Sequence, residues 1–226
     1  MIIPSSILKL FSKKAINIHA SLLPRWRGAA PIQWAILSGD NNTGISIIQM
    51  NDQIDAGKIL YSVSCPIHNS DTTKTIYKKL IPISINAMHH ILIKIIKNNI
   101  INSYKQDIKK ITYAPKIKKE QTRISWKKSA QYNERLIRAL NPYPYCYFIL
   151  KDKIIKIIQA SVLLNDYKKN YRIGEIVCAN QLGIQVYSKN KLLNIEVVQI
   201  AGGIPIHVSQ LLHSKKSWFT PGTIIL

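Results

Sequence analysis

Apolar and polar positions change period several times along this chain, and each change marks an element. Residues 14–19, "KAINIH", alternate over a short run, which predicts the end of a strand. "RGAAPIQWAILSGD" (27–40) shifts to helical spacing, with Pro31 suited to a first turn and Gly39 to a stop. Two strand-like runs follow, "TGISIIQM" (43–50) and "GKILYSVSC" (57–65). Polar "NDQIDA" joins them, so the pair reads as a hairpin with a long loop. "SDTTKTIYKKL" opens a helix with Ser70 or Asp71 as its cap, running with a break or kink near Pro82 to about Asn98.

Residues 99–117, "NIINSYKQDIKKITYAPKI", have no clean period and carry four lysines; they read as an interdomain connector. "SAQYNERLIRAL" (129–140) is a short amphipathic helix stopped by "NPYP". Strand-like runs follow at 145–150, 153–163, 173–179, 183–188 and 192–200, then a short helix near 209–213 and a last strand at 223–226. Many short strands with one or two helices predict a small β-barrel of the OB type. The expected layout is a first domain at 1–98, a linker at 99–117 and a second domain at 118–226.

Charge sharpens that division. The chain of 226 residues holds 32 Lys plus Arg against 11 Asp plus Glu, a formal charge of +21. Residues 1–98 carry 11 basic and 4 acidic side chains; residues 99–226 carry 21 and 7. A polyanion such as nucleic acid is the expected partner, and the second half is the better surface for it. The abundance of Ile, Lys and Asn also fits an AT-rich coding bias, which discounts the argument by about half. Cys65, Cys146 and Cys178 are far apart and odd in number, so neither a zinc site nor a disulfide framework is expected, as in a reducing cytoplasm. No run reaches the ~18 uncharged apolar residues of a membrane helix, and the N-terminus is a poor signal peptide.

The candidate chemistry lies in "NIHASLLPRWRGAAP" (17–31). Residues two apart on a strand share a face, so Asn17 and His19 point one way and Ile16 and Ile18 the other. An amide and an imidazole converging at a strand end can bind one developing oxyanion, and the imidazole can move a proton near neutral pH. Such a pair more often serves only to hydrogen-bond nearby backbone. Residues 1–98 contain no Glu and four Asp. Asp40 follows a helix-stopping Gly and Asp71 reads as a cap, which leaves Asp52 and Asp55 in the hairpin loop. Asp55, at the turn into the second strand, is the carboxylate best placed to meet His19, although "DAG" is also a common turn. Ser21 lacks the elbow of a nucleophilic serine, and "AGG" at 201–203 lacks the lysine and spacing of a phosphate loop.

The stretch "INIHASLLPRWRGAAPIQWAILSGDNNTGISIIQMNDQIDAGKIL" resembles the central segment of the methionyl-tRNA formyltransferase family. "ITYAPKIKKEQTRISW", "RLIRALNPYP" and "WFTPGTIIL" resemble that family's C-terminal domain. The resemblance implies an α/β fold: the C-terminal part of a Rossmann-like formyltransferase domain, then a small OB-like β-barrel that binds tRNA. It implies Asn17, His19 and Asp55 as the catalytic trio, and Ser21, Leu22, Leu23 and Pro24 as the turn that contacts the folate. The implied formyl donor is 10-formyltetrahydrofolate, with no metal, and the acceptor is the α-amino group of initiator methionyl-tRNA. A cytoplasmic monomer without membrane contact is expected. Family members begin with strands and helices ahead of the Asn-x-His strand, whereas Met1 stands sixteen positions before Asn17. The expected catalytic domain thus lacks its N-terminal half, leaving a parallel sheet with an exposed edge. Two rival readings follow: a remnant acting only as a basic tRNA-binding module, and a formyltransferase or formyl-folate hydrolase with another acceptor.

Overall fold

The computed structural model describes residues 5–8, 10, 15–97, 100–164 and 171–225. Two units divide the chain, Met1–Lys116 and Ile117–Leu226.

The first unit opens with one helical turn, α1 (Ser5–Leu8), and the short strand β1 (Ile16–His19). β2 (Arg27–Gly28) leads into α2 (Pro31–Ser38), with Pro31 in its first turn. Gly39 ends α2 in the left-handed region at φ 77°, donating its N–H to the last turn. The hairpin strands are β3 (Asn42–Gln49) and β4 (Ile59–Pro66). The sheet order is β1-β3-β4, and both pairings are antiparallel. The three strands β1, β3 and β4 thus do not form the parallel sheet expected here: a hairpin loop must reverse direction, and β1 also runs antiparallel to β3. β3 is the central strand and is buried on both faces, with Ile45 and Ile47 fully enclosed.

α3 (Thr73–Ile96) packs on β3 and β4. Its cap is Thr72, which accepts the Thr75 N–H while the Thr75 hydroxyl accepts the Thr72 N–H. The expected cap at Ser70 or Asp71 is corrected accordingly: the Asp71 carboxylate instead accepts from the His68 N–H, the Thr75 hydroxyl and Lys79. The helix also continues unbroken through Pro82. Pro82 lies on the exposed face, where water can take the carbonyl four residues back. By length and composition α3 is apolar enough to cross a membrane. In this unit Ile76, Leu80, Ala87 and Ile91 form its buried face.

Residues 100–116 are not a bare connector. Tyr104 exchanges backbone hydrogen bonds with Ile59 at 2.9 and 3.1 Å, extending the sheet beyond β4. β5 (Tyr113–Ala114) pairs in parallel with β2. The backbone there passes so close that a Cβ on Gly28, whose φ is 120°, would lie 2.8 Å from the Ala114 oxygen.

In the second unit α4 (Ala130–Ala139), capped by Ser129, precedes β6 (Cys146–Leu150), β7 (Lys153–Val162), β8 (Ile176–Asn180), β9 (Gly183–Ser188) and β10 (Lys191–Ile200). The order is β6-β7-β10-β9-β8, with β11 (Ile206–His207) on β10 and α5 (Val208–Lys215) after it. Phe148, Ile155, Ile157, Ile184, Val186 and Ile195 are fully buried in its core. The closed OB-type barrel is not found: among the described residues no pairing joins β6 to β8. Other segments take both outer edges. Ile124 donates to the Tyr147 carbonyl beside β6, and the Ile176 N–H of β8 bonds Thr223 while its carbonyl accepts from Gly222. The last expected strand is therefore a single bridge, Glu175 to Ile224, and Leu226 lies outside the described residues.

Candidate active site

The site begins where β1 ends. His19 is buried, and its Nε2 meets the carbonyl oxygen of Trp26 at 2.8 Å. A carbonyl only accepts, so Nε2 carries the hydrogen. The ring's other nitrogen, Nδ1, faces Oδ2 of Asp55 at 3.4 Å. A ring protonated at both nitrogens satisfies both neighbours. Asn17 shares the face of His19 and is half-buried. Among the described residues its side-chain amide has no hydrogen-bond partner.

The turn that delivers the Trp26 carbonyl is stiff for identifiable reasons. Trp26 sits at φ 65°, a costly conformation for a bulky side chain. Several contacts hold it there. The Trp26 N–H donates to Thr112 Oγ1 at 2.9 Å and its indole N–H to Asp40 Oδ2 at 2.8 Å. Arg25 lies 4.2 Å above the indole and makes a two-pronged bond to the Asp40 carboxylate at 2.8 and 2.7 Å. The hydrogen bond to Asp40 pushes the Arg25 guanidinium above its ordinary value, against a smaller opposing effect of burial. Beneath the turn, fully buried Ser46 accepts from the Leu23 N–H at 3.1 Å and donates to the Ser21 carbonyl at 2.8 Å.

Asp55 comes from the β3–β4 loop and is itself left-handed, at φ 51°. Its Oδ2 accepts the Gly28 N–H of β2 at 2.9 Å. Its backbone carbonyl, and that of Gly57, accept from the buried Gln106 amide at 2.7 and 2.8 Å. The Gln106 oxygen in turn accepts two bonds from buried Arg27, at 2.9 and 2.7 Å.

The structure thus brings His19 and Asp55 together and leaves Asn17 beside them on one face. The four residues of the expected folate turn divide. The Ser21 hydroxyl is buried and donates to the Arg25 carbonyl at 2.6 Å, and Leu23 packs on Ile48 and Ile59. Leu22 and Pro24 instead line a groove of about 450 Å³ with Arg25, Lys109, Lys110, Ile111 and Thr112. Four participants were not anticipated: the Trp26 carbonyl, the Gly28 N–H, Arg27 and Gln106. Arg27 and Gly28 stand within the quoted "RGAAPIQ", but nothing in their spacing shows the contact. No cluster of His, Cys, Asp or Glu suited to a metal occurs among the described residues.

Comparison with known proteins places the chain among the formyl transferases. Residues 1–92 match the formyl transferase family, and residues 116–216 match the formyl transferase C-terminal domain. A protein of Buchnera aphidicola subsp. Acyrthosiphon pisum named methionyl-tRNA formyltransferase is 49% identical over 224 residues, covering 99% of this chain and 71% of its own length. The chain belongs to the methionyl-tRNA formyltransferase family. Among solved structures, methionyl-tRNA formyltransferase from Clostridium thermocellum shares the fold with a TM-score of 0.61 at 24% identity, covering 90% of this chain and 74% of that one. HypX from Aquifex aeolicus in complex with tetrahydrofolic acid matches with a TM-score of 0.64 at 16% identity, over 94% of this chain and 36% of its own.

Proposed function

We propose that this chain transfers a formyl group from 10-formyltetrahydrofolate to the α-amino group of methionine on initiator tRNA, for translation initiation. The observation that carries the chemistry is the His19–Asp55 pair at 3.4 Å, with the Asn17 amide on the same strand face. Donors aimed at an oxygen that gains charge lower a barrier, and losing one typically costs ~3 kcal/mol. Asn17 is one such donor for the formyl oxygen, and the other is the Nδ1–H of His19, which is only loosely engaged by Asp55 while Nε2–H is taken by the Trp26 carbonyl. Asp55 orients the imidazole and, at a separation longer than a usual hydrogen bond, can accept a proton from the incoming amine, directly or through water. The Trp26 carbonyl holds the ring so that Nδ1, not Nε2, faces Asp55.

The folate supplies the activated one-carbon unit and a departing nitrogen that accepts a proton. The groove beside Leu22 and Pro24 fits such a body, with apolar walls from Leu22, Pro24 and Ile111 and cations Arg25, Lys109 and Lys110 for its acidic tail. Ser21 and Leu23 support the wall from behind. The acceptor reading draws on the second unit, where Lys118, Lys119, Arg123, Lys127 and Lys128 are exposed in one short stretch.

The test incubates the chain with 10-formyltetrahydrofolate and methionyl initiator tRNA and measures formyl-methionyl-tRNA. Formation of that product, lost on His19→Ala, supports the reading. Release of formate without it would point to a formyl-folate hydrolase, and transfer only to an amino sugar to another acceptor.

A further inference from the structure

We propose that Gln106 is a positioning residue of this site: its side-chain amide clamps the Asp55 loop to β2 through Arg27. The inference rests on the reading of His19 and Asp55 as the reacting pair, and deepens it.

The chemistry of the partners fixes the direction of the clamp. Arg27 can only donate, so the Gln106 oxygen must face it; the carbonyls of Asp55 and Gly57 can only accept, so the Gln106 nitrogen must face them. The amide thereby makes four hydrogen bonds, two accepted and two donated, in a buried setting. None can be exchanged for water without opening the unit, and an unpaired group left there is costly.

Geometry shows what the clamp controls. Residues 51–54, the tip of the loop, are exposed. The loop is pinned from Asp55 onward, where Asp55 holds a left-handed backbone. Its carboxylate is tied to β2 by the Gly28 N–H, and its carbonyl is tied to β2 by way of Gln106 and Arg27. Both ties end on adjacent residues of one strand. Gly57 tightens the arrangement, since a Cβ there would lie 1.5 Å from the Gln49 oxygen. The His19–Asp55 separation is therefore set by β2 and by a residue 51 positions away in sequence.

Gln106→Glu separates the two halves of the clamp. Glutamate still accepts from Arg27 but donates nothing to the Asp55 and Gly57 carbonyls. A displacement of about 1 Å at a reacting group can cost on the order of 100-fold. The turnover number is expected to fall 10- to 100-fold, with the KM for tRNA changing less than threefold. In an Asp55→Asn background the same change should add under twofold, because Gln106 acts through Asp55. Hydrogen exchange reads the clamp without turnover: the Gly28 amide should exchange at least tenfold faster, while the β3 amides of Ile45 and Ile47 stay protected. Unchanged Gly28 exchange, or a loss in turnover that multiplies fully with that of Asp55→Asn, overturns the proposal. If Gln106→Glu exposes the β3 amides as well, Arg27→Lys takes its place; loss of the guanidinium fork should then quicken Gly28 exchange, and no change there overturns the proposal too. If Asp55→Asn and His19→Ala both turn over normally, the reading of the reacting pair fails, and the clamp is judged on exchange alone.

Discussion

Nδ1 of His19 and Oδ2 of Asp55 lie 3.4 Å apart, held from opposite sides by main-chain groups. The Trp26 carbonyl takes the far nitrogen of the ring, and the Gly28 N–H takes the carboxylate oxygen. Backbone partners leave the two side chains facing each other at a separation just beyond a usual hydrogen bond. His19→Ala is expected to lower formyl transfer by about 10²- to 10³-fold. Asp55→Asn keeps an oxygen for the Gly28 N–H but removes the charge opposite the ring, so its loss reports charge more than position. Single-turnover assays at saturating tRNA measure both; normal turnover in either variant removes that residue from the mechanism.

Asp40 supports the site at one remove. It holds both Arg25 and the indole of Trp26, the residue whose strained backbone aims the carbonyl at His19. Asp40→Ala should cost about 1–2 kcal/mol in unfolding free energy, from lost charge-assisted bonds at a partly exposed position. It should also slow transfer, because a relaxed Trp26 no longer fixes the ring. A denaturant titration paired with the transfer assay checks this: stability lost with turnover retained would show that Trp26 needs no such brace.

Asp71 ties the start of α3 and makes stability depend on acid. Burial raises the pKa of its carboxyl, but the hydrogen bonds from Lys79, the His68 N–H and the Thr75 hydroxyl, with the Lys79 charge, outweigh it and leave the value lowered. A carboxylate depressed in the folded state contributes stability that is fully present above its unfolded value of about 4 and is lost as pH falls through the folded one. Asp71→Asn should cost about 1–3 kcal/mol at pH 7. Wild type and variant should converge in melting temperature on the acid side of that window. A gap as wide at pH 2–3 as at pH 7 would show that the charge is not what stabilises the helix start.

These cases mark how far the fold and site can be read from residue order. The pair Asn17 and His19 is legible because a strand has period two, and the β3–β4 hairpin because "TGISIIQM" and "GKILYSVSC" are strand-like runs joined by a polar loop. Gln106 is not legible. It lies in a run without period, and its role comes from contacts 79 positions back to Arg27 and 51 back to Asp55. Trp26 acts through its carbonyl, which no side-chain pattern reports. The barrel expectation fails for a similar reason: strand periodicity shows that strands exist, not which edges meet, and here short bridges from Arg123 and Ile224 take the edges.

The second unit makes a prediction of another kind. Lys118, Lys119, Lys127 and Lys128 are exposed, and residues 99–226 hold 21 basic side chains against 7 acidic ones. Long cationic side chains in water release counterions when they meet phosphates, so affinity falls linearly in log–log form as salt rises. Each phosphate contact removed should lower the magnitude of that slope by about 1. Coding bias toward lysine predicts instead that many of these charges meet nothing, in which case single changes leave the slope alone. Substituting the four lysines by alanine, singly and together, and measuring tRNA binding between 50 and 200 mM salt separates the cases. If they form the RNA surface, the combined variant should bind more weakly to initiator and elongator tRNA alike, with a slope flatter by about 2–4. A slope that matches wild type would assign the positive charge to mutational drift and move the search for the tRNA surface elsewhere on the chain.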